Sequence, residues 1–219
     1  MENSPFRVGF CVSGQGRLFR AAVQYQQLLG IEPALVVMES KAAQELDAFC
    51  EKHHVPIVRL EKMERSLFDK AVTQTCVDAN LDLLSLTFDK LVPQELVSHY
   101  RRRIINVHPG LLPAFKGFHA MEQAINAGAR YAGATIHEVD EEMDHGAIIS
   151  QCVVGIHKNE TASALGARIY NHLKLMYLQV LAWYGAGRVE WDSLGRIWIQ
   201  GATYGETPIS PTIEVSFPD

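Results

Sequence analysis

Residues 6–16 read FRVGFCVSGQG, an apolar run from Phe6 to Val12 that ends at Ser13-Gly14-Gln15-Gly16. The following stretch, as far as Leu29, carries apolar residues at near-helical spacing. A strand, a glycine-rich turn and a helix in this order are typical of the first unit of a parallel α/β sheet. The segment therefore predicts that the fold begins with a strand and a crossover helix.

The same alternation continues through the first half of the chain. Residues 81–88 form an almost uninterrupted apolar run, which is expected of a strand buried on both faces. The other predicted strands are Ala34 to Met38, Val55 to Leu60 and Ile104 to Val107, and the predicted helices are Lys41 to His53, Leu67 to Ala79 and Pro93 to Tyr100. This order predicts a doubly wound, mostly parallel, Rossmann-like sheet whose ligands lie beyond the carboxyl ends of the strands.

The pattern changes after residue 118. A helix is predicted near His119 to Ala127, an antiparallel strand pair at Ala132 to Val139 and Ala147 to Val154, the longest helix at Thr161 to Tyr184, and short strands around Val189 to Trp191 and Ile197 to Ile199. The expected fold class is α/β with an antiparallel C-terminal portion and a long C-terminal helix. We expect one domain over 1–219, with an N-terminal half at 1–105, a second half at 106–185, and C-terminal strands and a tail at 186–219.

Composition excludes several classes of protein. The chain has 219 residues, a formal net charge of -5 and 21% charged residues, which argues against nucleic acid as the main partner. No apolar run approaches the roughly 20 residues that span a bilayer, and the N-terminus lacks the features of a signal peptide, so we expect a cytoplasmic protein. The four cysteines are widely spaced and the histidines show no ligand spacing, so no disulfide framework and no metal are expected.

Asn106 and His108 are the first residues that suggest chemistry. They end a predicted buried strand, and side chains two apart on a strand project from the same face. An amide donor beside an imidazole suits the stabilisation of an oxyanion at an acyl carbon. An isolated pair of this kind more often only caps or turns a chain. The context of the pair favours a catalytic role, because Gly110-Leu111-Leu112-Pro113 follows it and Met143-Asp144-His145-Gly146 lies downstream in a turn-rich loop. Asp before a turn is also common, so Asp144 by itself would favour a structural role.

Two motifs together resemble the folate-dependent formyltransferases, and most closely the glycinamide ribonucleotide transformylases. They are Asn106-Val107-His108-Pro109-Gly110-Leu111-Leu112-Pro113, and Gly133-Ala134-Thr135-Ile136-His137 leading into Asp140-Glu141-Glu142-Met143-Asp144-His145-Gly146. The resemblance implies transfer of a formyl group from 10-formyltetrahydrofolate to an amine. Asn106 and His108 would stabilise the oxyanion, and Asp144 would orient His108 and help to move the proton. The resemblance also implies a cis peptide bond before Pro113.

The resemblance implies that residues 106–185 are the catalytic and folate-binding half of the domain, and it implies further site residues. The folate would contact Lys90, Leu91, Val92, Val139, Asp140, Glu141 and Met143. The acceptor would contact Gly14, Gly16, Arg17, Arg65, Pro109, Glu138 and Leu173.

Three of these positions depart from the family pattern. Arg17 and Leu18 replace the polar pair that holds the substrate phosphate, Leu173 replaces the acidic residue that contacts the ribose, and Glu138 stands where an aromatic or apolar residue is usual. Arg17 is equally well explained as a solvated helix residue, and Leu173 as ordinary core. A site that lacks a hydrogen-bonding carboxylate should favour a less polar acceptor. We therefore expect a small primary amine other than glycinamide ribonucleotide.

Several alternatives remain open. Glycinamide ribonucleotide itself is a possible acceptor, and water as the acceptor would make the protein a 10-formyltetrahydrofolate hydrolase. A dinucleotide-binding oxidoreductase or a non-catalytic nucleotide- or folate-binding module is less expected, because Phe19 replaces the last glycine of the G-x-G-x-x-G pattern. The expected partners are the small amine and the reduced folate, without nucleic acid or membrane, and the expected assembly is a monomer or homodimer.

Overall fold

The computed structural model describes residues 5–61, 63–88, 90–205 and 208–218. Contacts divide the chain into two compact units, Met1–Asn106 and Val107–Asp219. The boundary lies inside a strand, two residues before its end. The sequence-based division into 1–105, 106–185 and 186–219 within one domain stays a prediction.

The first unit is built on a parallel sheet. The strands are β1 (Phe6–Val12), β2 (Ile31–Glu39), β3 (Ile57–Leu60), β4 (Leu83–Thr87) and β5 (Ile104–His108). They lie in the order β5-β4-β1-β2-β3, and each adjacent pair is parallel. The helices are α1 (Arg17–Gln24), α2 (Gln26–Leu29), α3 (Glu45–His53), α4 (Arg65–Asp78) and α5 (Gln94–His99). Apolar side chains of the central strands, among them Val8, Phe10 and Leu84, are almost fully buried.

Several boundaries in this unit differ from the sequence prediction by up to four residues, and two of the differences have a clear local cause. The helix expected to run to Leu29 is interrupted at Tyr25, whose backbone (φ -101°, ψ 8°) leaves the helical conformation. The third strand begins at Ile57 rather than Val55, because Pro56 has no N–H to give to a strand ladder. The carbonyl of Pro56 still accepts a hydrogen bond from the Val36 N–H.

The second unit contains antiparallel strands and the longest helix. Its main strands are β6 (Tyr131–Glu138), β7 (Ile148–Gly155) and β10 (Ile209–Ser210) in the order β10-β7-β6, and β8 (Val189–Trp191) pairs with β9 (Ile197–Ile199). Its helices are α6 (Ala120–Asn126) and α7 (Ala162–Gly185). The sequence did not predict β10. The mostly parallel α/β fold, with an antiparallel C-terminal portion and a long C-terminal helix, is otherwise confirmed.

Helix α7 buries an apolar stripe in the core of the second unit. Thr161 caps its N-terminus, because the Thr161 hydroxyl accepts a hydrogen bond from the Ala164 N–H. The stripe predicted from Leu165 to Tyr184 is buried along its length. The C-terminal tail is tied to this helix, because the buried Gln179 side chain accepts hydrogen bonds from the backbone N–H groups of Glu214 and Val215. Among the described residues, no helix is long and apolar enough to cross a membrane.

Candidate active site

A buried imidazole and a buried carboxylate meet at the start of the second unit. His108 ends β5, and its Nδ1 lies 3.3 Å from Oδ2 of Asp144 in the loop between β6 and β7. The exposed fractions of the two side chains are only 4% and 9%. The convergence of His108 and Asp144, which the sequence predicted, is therefore present.

Backbone groups fix both partners of this pair. Nε2 of His108 lies 2.9 Å from the carbonyl oxygen of Phe115, and because a carbonyl only accepts, Nε2 carries the proton. Oδ2 of Asp144 accepts a hydrogen bond of 2.8 Å from the Gly117 N–H. Asp144 adopts a left-handed backbone (φ 52°), which Asp tolerates better than most side chains. The segment from Phe115 to Gly117 thus orients the imidazole and the carboxylate together.

Glycine is required next to the imidazole. A Cβ atom added at Gly110 would lie 2.8 Å from His108 Nε2 and 2.9 Å from Ala120 Cβ. Such contacts are too short for any side chain, so another residue here would displace the ring. The peptide bond between Leu112 and Pro113 is cis, as the resemblance implied.

Thr135 supports the loop that follows His108. This fully buried hydroxyl donates to the Gly110 carbonyl at 2.7 Å and accepts from the Leu112 N–H at 3.1 Å. The Gln151 amide donates both to the Thr135 hydroxyl and to the Leu112 carbonyl. The Thr135 side chain on β6 therefore fixes two backbone groups of the loop. The Gln151 amide on β7 holds both the Thr135 hydroxyl and the loop.

His137 lies on the other side of the Asp144 carboxylate. Its Nε2 is 3.6 Å from Oδ1 of Asp144, and its Nδ1 is 2.6 Å from the Glu138 carbonyl oxygen, so Nδ1 carries the proton. Burial lowers the pKa of His137 below its ordinary value, and the nearby His108 acts in the same direction. The Glu138 carbonyl and the Asp144 charge oppose this shift without reversing it. His137 is therefore expected to remain neutral near pH 7.

Asn106 and Pro109, two further predicted site residues of the same motif, lie close to His108 in the chain. Asn106 is the last residue of the first unit and lies two positions before His108 on β5, so strand alternation directs both side chains to the same face. Pro109 follows the strand and is exposed. The sequence prediction that Asn106 acts with His108 stays a prediction, as does acceptor contact by Pro109.

The loop from Val139 to Asp144 carries four of the predicted folate contacts. Val139 is partly buried, Glu141 and Met143 are exposed, and Met143 retains 45% of its accessible surface. Asp140 shapes the turn, because its carboxylate accepts from the Glu142 N–H at 3.0 Å and contacts His145 Nδ1 at 2.9 Å. Contact of Val139, Asp140, Glu141 and Met143 with the folate stays a prediction.

A comparison with known families shows which family carries these motifs. Residues 6–181 match the family model described as Formyl transferase. The chain belongs to the formyl transferase family. The motifs from Asn106 to Pro113 and from Gly133 to Gly146 both lie inside the matched residues, so the sequence prediction of a formyltransferase is confirmed at the level of the family.

Relatives of this formyl transferase carry one recurring description. A phosphoribosylglycinamide formyltransferase of Bacillus subtilis (strain 168) is 33% identical over 72% of this chain and 84% of its own length. The chloroplastic phosphoribosylglycinamide formyltransferase of Vigna unguiculata is 33% identical over 84% of this chain, and the match spans 62% of that protein. The crystal structure of phosphoribosylglycinamide formyltransferase from Anaplasma phagocytophilum superposes with a TM-score of 0.82 at 27% identity, covering 90% of this chain and 96% of the other.

The predicted phosphate-binding turn lies in the first unit of this formyl transferase. Gly14 (φ 63°) and Gly16 (φ 60°) both adopt the left-handed backbone that favours glycine, and Gly16 immediately precedes α1. Arg17 is the first residue of α1 and is exposed. The positions suit an anion at the helix N-terminus, but acceptor contact by these three residues stays a prediction.

Two predicted basic residues of the first unit already have protein partners. Arg65 contacts Asp69 at 2.7 Å and donates to the Leu91 carbonyl at 2.8 Å. Lys90 Nζ lies 2.6 Å from Oε1 of Glu39 and 5.6 Å from the centre of the Phe68 ring. Leu91 is 51% exposed and Val92 is partly buried. Arg65 therefore holds the backbone of the segment that was predicted to line the folate site.

Glu138 and Leu173 both lie in the interior of the second unit. Glu138 is 8% exposed, and its Oε1 accepts a hydrogen bond of 2.9 Å from the indole of Trp191. This carboxylate also raises the pKa of the buried Tyr184 hydroxyl, although burial of Tyr184 is the larger cause. Leu173 is 8% exposed and belongs to the buried stripe of α7. Contact of Glu138 and Leu173 with an acceptor stays a prediction.

No role was predicted from the sequence for Thr135, His137, Gln151 or Glu39. Thr135 and His137 stand two apart on a strand and in the quoted motif, so period-two alternation was a usable signal. Gln151 and Glu39 gave no local signal, because their partners are distant in sequence. Within the described ranges, no group of three His, Cys, Asp or Glu side chains is arranged to hold a metal ion.

Proposed function

We propose that this protein transfers the formyl group of 10-formyltetrahydrofolate to the primary amine of phosphoribosylglycinamide. The observation that carries the proposal is the buried His108–Asp144 pair inside the region that matches the formyl transferase family. The relatives' descriptions support the acceptor. The sequence-based expectation of a different amine is not supported by these relatives, which favour the alternative.

Asn106 and His108 act on the formyl oxygen in this proposal. The amide of Asn106 and an N–H of His108 donate hydrogen bonds to that oxygen as it gains negative charge. His108 exchanges its contact with the Phe115 carbonyl for the formyl oxygen. A preorganised donor of this kind contributes a factor of about 10²–10³ in kcat.

Asp144 transfers the proton of the acceptor amine in this proposal. The acceptor nitrogen forms a bond to the formyl carbon, the bond from that carbon to N10 of the folate breaks, and the folate supplies only the formyl group. The proton lost by the amine passes by way of Asp144 and a water to the departing N10. The products are then the formamide and tetrahydrofolate. The positions of His108 and Gly117 hold the carboxylate for this task.

The test is a direct assay of the purified protein. 10-formyltetrahydrofolate and phosphoribosylglycinamide are mixed with the protein, and tetrahydrofolate and the formylated product are both quantified. We expect the two products in equal amounts. Formate in place of the formylated product would instead identify the hydrolase, and turnover only with an unrelated amine would restore the expectation of a different acceptor.

Location and assembly are also proposals. A cytoplasmic location agrees with the composition of the chain, and a monomer or homodimer is the assembly that we propose. Fractionation of cells and sedimentation of the purified protein test the two statements separately.

A further inference from the structure

The backbone of the segment between Phe115 and His119 is strained. Phe115 (φ 53°) and His119 (φ 61°) both adopt the left-handed conformation that bulky side chains rarely take, and Gly117 (φ 79°) lies between them. Such residues cost stability, so the segment keeps this shape only because other groups hold it. The Phe115 carbonyl contacts His108, and the Gly117 N–H donates to Asp144. The shape of the segment therefore sets the orientation of the buried pair.

Gln123 on α6 binds this segment through its side-chain amide. Its Nε2 donates a hydrogen bond of 3.1 Å to the Lys116 carbonyl and one of 2.9 Å to the Phe118 carbonyl. A carbonyl only accepts, so both amide hydrogens are used and the amide can adopt only this orientation. Lys116 and Phe118 flank Gly117. The amide therefore holds the chain on both sides of the glycine.

A single peptide group connects Gln123 with the carboxylate of Asp144. The Lys116 carbonyl, which accepts from Gln123, and the Gly117 N–H belong to the same peptide bond. That N–H donates to Oδ2 of Asp144 at 2.8 Å. A peptide group is planar and rigid, so fixing its carbonyl also fixes the direction of its N–H. Hydrogen bonds linked in this way also polarise and strengthen one another.

Helix α6 provides a fixed base for the Gln123 side chain. Ala120 and Ala124 of this helix are buried, and the Gln123 N–H donates to the His119 carbonyl at 2.9 Å, which joins the helix directly to the segment. Gln123 itself is exposed, and an exposed glutamine is ordinarily a solvated surface residue. Gln123 differs from that case, because both side-chain hydrogen bonds end on a strained segment that contacts buried groups.

We propose that Gln123 is a positioning residue for formyl transfer, which holds the peptide between Lys116 and Gly117 so that His108 and Asp144 keep their mutual geometry. This role rests on the proposed function, because Gln123 acts only through that pair. Gln123 is not a catalytic residue here. Loss of its N–H groups should slow the chemical step and leave substrate binding almost unchanged.

The test uses variants that change only the donors of this side chain. Gln123→Met has about the same length and no N–H group, whereas Gln123→Arg keeps N–H donors on a planar group. Glutamine, methionine and arginine have similar helix propensities, so neither change should weaken α6 through its backbone. Asn126→Met, at an exposed position of the same helix, is the matched control.

Hydrogen exchange measures the geometry without any acceptor. The exchange rates of the Gly117 N–H and of the His108 Nε2–H are followed by NMR, because each proton is held by one bond of the segment. Both protons should exchange about 5- to 100-fold faster in Gln123→Met, the range expected for the loss of two hydrogen bonds. Gln123→Arg should recover most of this difference, and Asn126→Met should exchange as the wild type does.

Kinetics measure the consequence for formyl transfer. With 10-formyltetrahydrofolate and phosphoribosylglycinamide, kcat of Gln123→Met should fall by about tenfold, because a small misplacement of reacting groups is costly. Both KM values should stay within about a factor of two of the wild type. Gln123→Arg should restore most of kcat, and Asn126→Met should keep it.

The outcomes separate this role from the proposed function. Unchanged exchange in Gln123→Met, or faster exchange with a wild-type kcat, overturns the positioning role. A loss of kcat that Gln123→Arg does not restore, together with raised KM values and a lower melting temperature, shows a general structural role and also overturns it. If Gln123→Met does not fold, Gln123→Glu, which has the same length and no donors, replaces it. A wild type that releases no tetrahydrofolate overturns the proposed function, and exchange alone then decides whether Gln123 holds the segment.

Discussion

The cluster around His108 and the turn around Gly14 both follow the carboxyl ends of strands, but they are held in different ways. In the cluster, buried side chains bond to backbone groups of one loop, as Thr135 does to Gly110 and Leu112. At the turn, Gly14 and Gly16 adopt left-handed backbones, backbone N–H groups donate to their carbonyls, and the adjacent Arg17 is exposed. A change in the cluster leaves buried groups unpaired, whereas a change at Arg17 exchanges one solvated side chain for another. The cluster is therefore expected to tolerate far less substitution.

The largest effect is expected at Asp144. Asp144→Asn keeps an oxygen for the Gly117 N–H but removes the group that takes up a proton. We expect kcat to fall by about 10²–10⁴ with little change in the KM for the acceptor. Glu142→Gln, an exposed position in the same loop, is the matched control. A kcat within a factor of three of the wild type would exclude Asp144 from proton transfer.

The second prediction concerns the support of the loop. Thr135→Val keeps the volume but leaves the Leu112 N–H and the Gly110 carbonyl without their buried partner. The free energy of unfolding should fall by about 1–3 kcal/mol, measured by urea denaturation. Thr203→Val, at an exposed position, should change it by less than about 0.5 kcal/mol. Equal stability of the two variants would contradict the structural importance of the buried network.

The third prediction is a dependence of stability on pH. The pKa of His137 is lowered by burial, so below pH 6.5 the unfolded chain takes up a proton before the folded chain does. The stability that neutral His137 provides is complete above pH 6.5 and is lost as the pH falls through 6.5 towards the folded pKa.

Melting temperatures between pH 7.5 and 5.5 measure this effect. The decline on acidification should be smaller in His137→Gln than in the wild type. His119→Gln, an exposed position, should follow the wild-type decline. Parallel curves for His137→Gln and the wild type would show that His137 does not titrate in this range.

The smallest effect is expected at Arg17. Arg17→Ala should raise the KM for a phosphorylated acceptor by less than about tenfold, because an exposed cation interacts weakly through water. The difference from the wild type should shrink as salt is added. Arg101→Ala, another exposed arginine, should leave the KM unchanged. A loss of all acceptor binding in Arg17→Ala would show that the turn is as sensitive as the cluster.

The sequence predicted some elements of the fold and missed others, and the difference has a physical reason. Periodicity identified β1, β4 and β5 because strands buried on both faces are almost wholly apolar. It gave no sign of β10 (Ile209–Ser210), which is too short to show a period and is defined by its pairing with β7. It predicted the buried position of Leu173 in the stripe of α7, but it gave no sign that Glu138 accepts a hydrogen bond from the distant Trp191.

The sequence by itself determined the α/β fold, the formyl transferase family and the candidates Asn106, His108 and Asp144, because each depends on residue types at short, fixed spacings. Only the tertiary structure revealed that Thr135 and Gln151 hold the loop after His108, and that Glu39 contacts Lys90 at the end of β2. Those contacts join residues far apart in the chain. Their geometry is set by how strands and loops pack together, and no local pattern encodes it.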